Sequence, residues 1–598
     1  MKKWMICLCL LMKVGHAQLY VENGGLVYVN DTYITVTNEV HIGNNGNIFL
    51  RNEGQLLQTN SNSNTGTGQL SVFQEGRAGN FHFNYWCSPV GLNNSANGNS
   101  AFGISMLRRP IDSTNSQNVE ITSGVNGVTN SNLLRISSAW INKFVANNGF
   151  SSWQLVGNNT NIQPGEGFTM KGVSGIDPTI PITGMTPNNP GNAQRYDFRG
   201  RPNNGDILIN VSNGGFTLIG NPYPSAINLR WFLVGNSDFG IPGNPNCNGV
   251  AYFWEQDLSV QSHNLTAYRG GYGTFAGGSG VYTPATFFAF NVVGTQLPGA
   301  TGTGGNYNRT ILPIGQGFMI RGVTNGTVTM RNLYRVFAKE SLGQSVFAKN
   351  NTSLETQGKN GQKISIPNIA NAPLNDQLIQ PSPHIKINTL LNNQAVKPTA
   401  IVLDQTTTAG YDSGFDAITP AASSIDMYFK LDSQELIHYA IPFDVNVQIP
   451  IAFRCNQTAN FKIQVDEMVG LDQNIPVYLW HIPSNQYYDI KNQLYSFDLS
   501  SGVYENEFKI TFTNQTLNNN TLEIQNLIAY TNQQNLFVKT AGEILDNIQV
   551  YDIQGRIIQT FTNIQSNQFE KPLNIPTQVI ILKIKTTEGK IATRKLVI

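Results

Sequence analysis

The sequence predicts an all-β, multidomain protein: a short β-solenoid-like N-terminal segment, duplicated β-sandwich units, a second β-sandwich, and a small immunoglobulin-like C-terminal domain. Three observations carry that expectation. Apolar and polar residues alternate over short runs almost throughout, which gives each run one face for a core. Turn formers punctuate those runs, with 57 Gly and 27 Pro in 598 residues. Charged residues are 13% and aromatic residues 10%, against roughly 25% charged in an average soluble domain. Low charge with ample aromatic bulk is the opposite of a disordered composition. The net charge of +1 gives no bulk attraction to nucleic acid or to an anionic membrane.

Residues 1–17 read as a secretory signal peptide. Lys2 and Lys3 precede an apolar run over residues 4–12, and the small residues Gly15 and Ala17 precede a cut expected between Ala17 and Gln18. The run is shorter than the roughly 20 residues a spanning helix needs. No later segment is apolar enough to span, so no transmembrane segment is expected in the mature chain. Cys87, Cys247 and Cys455 remain there. Three cysteines far apart do not make a disulfide framework, and their spacing does not suit zinc.

Residues 18–68 carry short alternating runs every seven to eight residues with Asn and Gly between them, a spacing that suits a few solenoid coils. Residues 69–340 contain a duplication. IQPGEGFTMKGV at 162–173 matches ILPIGQGFMIRGV at 311–323, and upstream YWCSPV at 85–90 matches GNPYPSAI at 220–227. Gly-x-Gly-Phe reads as a tight turn into a strand whose Phe is buried. Residues 270–280 are Gly-rich and read as a binding or flexible loop. Residues 341–380 read as a linker. Residues 381–530 hold eight or nine strand-like runs, a second β-sandwich. In residues 535–598, Ile548 to Tyr551 alternate as a strand, and Asp552 and Gly555 occupy the first and fourth positions of a type I turn. A second hairpin is expected across Glu588 and Gly589.

Chemistry is sparse. The histidines of the mature chain have no metal-ligand spacing, and there is no HExxH, GxSxG or Walker loop. No catalytic, cofactor-binding or metal residues are expected. Asp404, Asp412, Asp416 and Asp426 are the set of hard oxygen ligands that Ca²⁺ would take, though Asp412-Ser413-Gly414 reads equally as a plain turn. Trp140, Trp153, Trp231, Trp254 and Trp480 would stack on sugars if exposed and fill sandwich cores otherwise.

Several of these segments together resemble large secreted proteins of the Bacteroidetes that carry a C-terminal sorting domain for the type IX secretion system. They are residues 85–90, LIGNPYPSAINL at 218–229, both Gly-x-Gly-Phe copies, and TAGYDSGFDA at 408–417. The last domain resembles a type A sorting domain through Ile-x-Val-Tyr-Asp-x-x-Gly-Arg at 548–556, an apolar strand at 579–584 and a basic finish at 595–598. It departs from that pattern where Asn535-Leu536 stands for Asn-Pro and Thr577-Gln578-Val579 for Gly-x-Tyr. The resemblance implies that Tyr551, Asp552, Gly555, Arg556 and Lys595 belong to the sorting motif. It implies passage through the periplasm to the cell surface or beyond, with the type IX machinery as a partner. The expected role is non-enzymatic, an adhesin or structural protein with a surface glycan or protein as ligand. The alternative is a secreted carbohydrate-active or other hydrolytic enzyme whose carboxylates lie in loops.

Overall fold

Strands supply nearly all the regular structure of the chain, and the one α-helix among the described residues is Leu229–Val234. The computed structural model describes residues 18–94, 97–243, 245–347, 380–514, 524, 527–532 and 534–598. The leader, with Ala17, and most of the segment read as a linker lie outside them. The chain divides into two compact units, Met1–Thr513 and Asn514–Ile598.

The first unit starts as a parallel solenoid. Leu19 lies opposite Val40, Leu26 opposite Asn47, Asn47 opposite Gln69, and Tyr33 opposite Gln55. A coil therefore closes every 21 or 22 residues and carries three short strands, which is why the runs recur every seven or eight. Asparagine holds the corners. Asn52 donates to Asn30 Oδ1 at 2.7 Å, Asn60 to Asn38 Oδ1 at 2.7 Å, and Gln69 to Asn47 Oδ1 at 3.1 Å. Each pair stacks one coil on the next, so amide ladders supply the polar groups that charge does not.

The last coil has no break after residue 68. Strand Gln69–Arg77 pairs in parallel with Asn47–Arg51 and, on its other edge, antiparallel with Ala193–Pro202. The duplicated units follow. In the first, Gly167–Lys171 pairs with Phe83–Cys87; in the second, Gly317–Gly322 pairs with Phe216–Gly220. Register equates Trp86 with Ile219 and Phe168 with Phe318. Both phenylalanines are fully buried. Each turn carries a glycine in the left-handed region, Gly165 at φ +81° and Gly315 at φ +77°, where a side chain is strained. The copies interlock reciprocally. Trp86 bridges Gln316 while Ile219 bridges Glu166, and Cys87 N donates to Gly315 O while Gly220 N donates to Gly165 O. The seam is a pseudo-dyad.

The Gly-rich stretch 270–280 is not a loop over most of its length. Its residues 270–276 belong to strand Arg269–Ala276, paired along Cys247–Gln256 inside a seven-stranded sheet. A Cβ at Gly270 would strike the Trp254 ring and one at Gly273 the Tyr282 ring. The glycines make room for aromatic neighbours.

Residues 384–511 form one eleven-stranded sheet that curls nearly into a barrel round a single apolar core. It is not detached from the copies: Thr303 Oγ1 donates to Val396 O at 2.8 Å and accepts from Val396 N at 3.0 Å. Residues 341–347, at the head of the expected linker, dock instead of linking, with Phe347 buried against Trp86 at 4.7 Å. The segments separated at 68, 340 and 380 on sequence grounds thus make one compact unit.

Candidate functional site

The second unit folds round its own core. The sheet of Ile528–Asn532, Asn535–Lys539 and Gln568–Pro572 packs on that of Ile557–Phe561, Leu545–Asp552, Val579–Thr586 and Ile591–Val597. Leu536, Val538 and Phe569 meet Ile548, Val550, Leu582 and Ile584 between them. The unit begins at Asn514, not 535, because Ile528–Asn532 pairs with Asn535–Lys539 and belongs here.

The motif turn is built as its residue types dictate. Asp552 N donates to Arg556 O at 3.0 Å and Gly555 N to Asp552 O at 3.0 Å, with Gly555 at φ +77°. This is a type I turn closed by a left-handed glycine, a three-residue hairpin loop. The Asp552 carboxylate locks it, accepting from the backbone N of Arg556 and Gln554 at 2.9 Å and from Arg556 Nε at 2.7 Å. These donors, the Arg556 backbone N–H foremost, hold its pKa below the usual carboxylate value. The second hairpin repeats the geometry with a hydroxyl. Thr586 N donates to Lys590 O at 2.9 Å, Gly589 sits at φ +83°, and Lys590 N donates to Thr586 Oγ1 at 3.1 Å.

Register then joins pieces that are far apart in sequence. Tyr551 lies opposite Ile581 and Ile581 opposite Lys595, so Tyr551 and Lys595 share one face about 10 Å apart. Gln549 and Lys583 form the next row of that face, and Asn547 and Lys585 the row after. The face is the one turned from the core, since Ile548, Val550, Leu582 and Ile584 take the other. Lys583, Lys585 and Lys595 are exposed. It offers an aromatic ring beside a row of cations that have no ion-pair partner among the described residues.

The remaining sequence-selected residues fall elsewhere. Gln18 is exposed just before strand Leu19–Val21. The four aspartates are not brought together. Asp404 caps Thr406 N at 3.0 Å and Asp412 accepts from Thr408 N at 2.7 Å. Asp416 accepts from Asp412 N at 2.6 Å and Ala440 N at 2.7 Å, with burial pushing its pKa up to about 7. Asp426 is paired with Lys397 at 3.0 Å. Among the described residues no group of three or more His, Cys, Asp or Glu is placed to hold a metal. The LIGNPYPSAINL run is core scaffolding. Tyr223 is fully buried and donates to Gly205 O at 2.6 Å, and Asn228 caps the helix by accepting from Trp231 N. Trp231 is buried, Trp140, Trp153 and Trp254 are half-buried, and Trp480 stacks parallel on Tyr487 at 5.5 Å. The three cysteines are buried and unpaired.

Lys171 is a residue that sequence reasoning passed over. It is 3% exposed, with Nζ 3.6 Å over the Trp140 ring and 4.7 Å over Phe83. It donates to Tyr268 Oη and to His263 Nδ1 at 3.1 Å, while His263 Nε2 lies 2.7 Å from Asn126 Oδ1. Burial pushes its pKa down to about 7. Its signal was its place in the duplicated motif, where Arg321 stands in the other copy.

Two family models match the chain, each described as a domain of unknown function: DUF8693 over residues 9–512 and DUF8694 over residues 513–598. Their junction coincides with the division between the compact units to within one residue. No curated protein matches the chain.

Proposed function

The chain belongs to the DUF8693 family, and from that premise we propose that it is a secreted β-protein whose last compact unit is its export address. The type IX machinery reads that unit through the outward face of Tyr551 and Lys595, with Lys583 and Lys585 beside them. The first unit is cargo with a non-enzymatic role at or beyond the cell surface, as an adhesin or structural binder. The observation that carries this reading is the register that zips the two motif pieces onto one face of a unit with its own core. The family-like leader at residues 1–17 supports it from the other end. Deleting residues 514–598 tests it in a cell with type IX secretion. The truncated chain is expected to accumulate in the periplasm. Release at the normal level would sink the address reading.

A further inference from the structure

The first coil of the solenoid, residues 19–36, is open on one side. Its strands Leu19–Val21, Leu26–Asn30 and Tyr33–Val36 each pair in parallel with the coil that follows. Among the described residues no strand pairs with their other edges. Asn47 N donates to Gly25 O and Asp31 N to Arg51 O, so the intervening Val27 and Val29 turn their backbone groups to the second coil. The N–H and C=O groups of Leu26, Tyr28 and Asn30 point the other way, into the open edge.

The apolar core ends at the same place. Val40, Ile48 and Leu56 of the second coil are fully buried. Leu19, Val27 and Ile34, which lie opposite them one coil earlier, are only half-buried. Beside them Tyr20 is 60%, Leu26 58% and Tyr28 40% exposed. A solenoid needs a cap at such an end, and an exposed edge is usually guarded by Lys or Pro. Residues 18–38 contain no Lys, Arg or Pro. The far end of the same sheet is closed by the chain itself, where Ala193–Pro202 runs antiparallel along Gln69–Arg77.

We propose that a second copy of the chain covers this edge, first coil against first coil, about a two-fold axis through Tyr28. That axis reverses Leu26–Asn30 onto its own copy and exchanges Leu19–Val21 with Tyr33–Val36. All three edges therefore gain antiparallel partners in one operation, and the contact closes on itself. A single foreign strand would satisfy one edge only. Tyr28 then lies opposite the partner subunit's Tyr28, and Leu26 opposite the partner subunit's Asn30. These are the hydrogen-bonded pairs of the ladder, so every outward group of Leu26, Tyr28 and Asn30 is used. Val27 lies opposite the partner subunit's Val29, and the core runs on through the interface. Glu22 and Asp31 are the only charges in residues 18–38, and Asp31 is paired with Lys339 at 2.5 Å, so repulsion between the two ends is small. Strands of 3, 5 and 4 residues bound a face of roughly 10–17 Å a side. That is small for a stable interface, so the dimer is expected to dissociate in the micromolar range.

Sedimentation equilibrium of the exported chain, beginning at Gln18, tests this from about 1 to about 100 μM. The mass is expected to rise from that of one chain to that of two. Tyr28→Lys and Tyr28→Glu alter an exposed side chain and should leave the fold intact, which their melting temperatures check. Each sets like charges directly opposite across the axis and should stay monomeric over the whole range. An equimolar mixture of the two variants should dimerise again, because only a two-fold at Tyr28 sets position 28 against itself. A wild-type chain that stays monomeric at 100 μM overturns the proposal. Undiminished dimers of Tyr28→Lys overturn the site. A mixture that stays monomeric overturns the two-fold register, and a mass that climbs past two chains overturns the closed contact.

Discussion

The two copies of the duplicated unit share one seam and part company at its ends. At the seam the equivalence is close: Trp86 and Ile219 occupy one role, Phe168 and Phe318 another, and the bridges run reciprocally. Three residues on from those phenylalanines, the last side chain of the paired strand is Lys171 in one copy and Arg321 in the other. Each lies over the ring opposite it, Phe83 at 4.7 Å and Phe216 at 6.0 Å. Lys171 is then sealed by His263 and Tyr268, which come from the second copy's longer connection after strand Cys247–Gln256. Arg321 stays half-buried. The duplication therefore conserves packing geometry and lets an unshared loop decide whether the same position is a surface cation or a caged one.

The strongest way to break the comparison is to empty the seam from either side. Trp86 is fully buried among Tyr196, Phe198 and Phe347, and Trp86→Ala should cost about 3–5 kcal/mol. Ile219→Ala, at the equivalent site, should cost about 2–5 kcal/mol. Urea unfolding of each variant measures both. A tolerated change at one site beside a severe change at the other would mean that the seam is not shared.

Next come the close approaches. A Cβ at Gly317 would lie 2.8 Å from Tyr85 C and 2.9 Å from Trp86 N, and one at Gly167 would lie 2.7 Å from Leu218 Cγ and 2.8 Å from Ile219 O. Gly317→Ala and Gly167→Ala should each cost about 1–3 kcal/mol by overpacking. Gly317 should be the worse, because it meets only backbone among its nearest atoms while Leu218 can yield. Gly299→Ala meets nothing within 4 Å and should stay within about 0.5 kcal/mol. Equal melting shifts in all three would remove the steric account.

How much of this was legible differs by the range of the cause. Alternation and local turn chemistry are short-range, so the strand runs of residues 384–511 and the Asp552 to Arg556 turn are readable in the chain itself. The duplication is readable because its spacing preserves motif order. The 21- or 22-residue coil is not, because it appears only when Leu26, Asn47 and Gln69 are seen in one ladder. The glycines of Arg269–Ala276 read as a loop because their reason is Trp254 and Tyr282, rings contributed by other strands. The cage round Lys171 draws on residues 92 and 97 positions away. That Nε and Nη2 of the fully buried Arg309 lack a partner among the described residues is visible only once its surroundings are packed.

The pH dependence of that cage gives the finest test of the two copies. An unfolded lysine holds its proton up to its ordinary pKa of 10.5, whereas folding pushes Lys171 down to about 7 by burial. Between those values the unfolded chain binds more protons, so stability rises with pH there, by at most about 1.4 kcal/mol per pH unit for one group. Below about pH 7 both states are protonated and the slope disappears. Subtracting the stability curve of Lys171→Met from that of the wild type should expose this rise from pH 7 upward. The same subtraction with Arg321→Met is the control from the other copy. Parallel curves for Lys171→Met would mean that the cage holds a cation at no cost. The two copies would then differ only in which cation they carry.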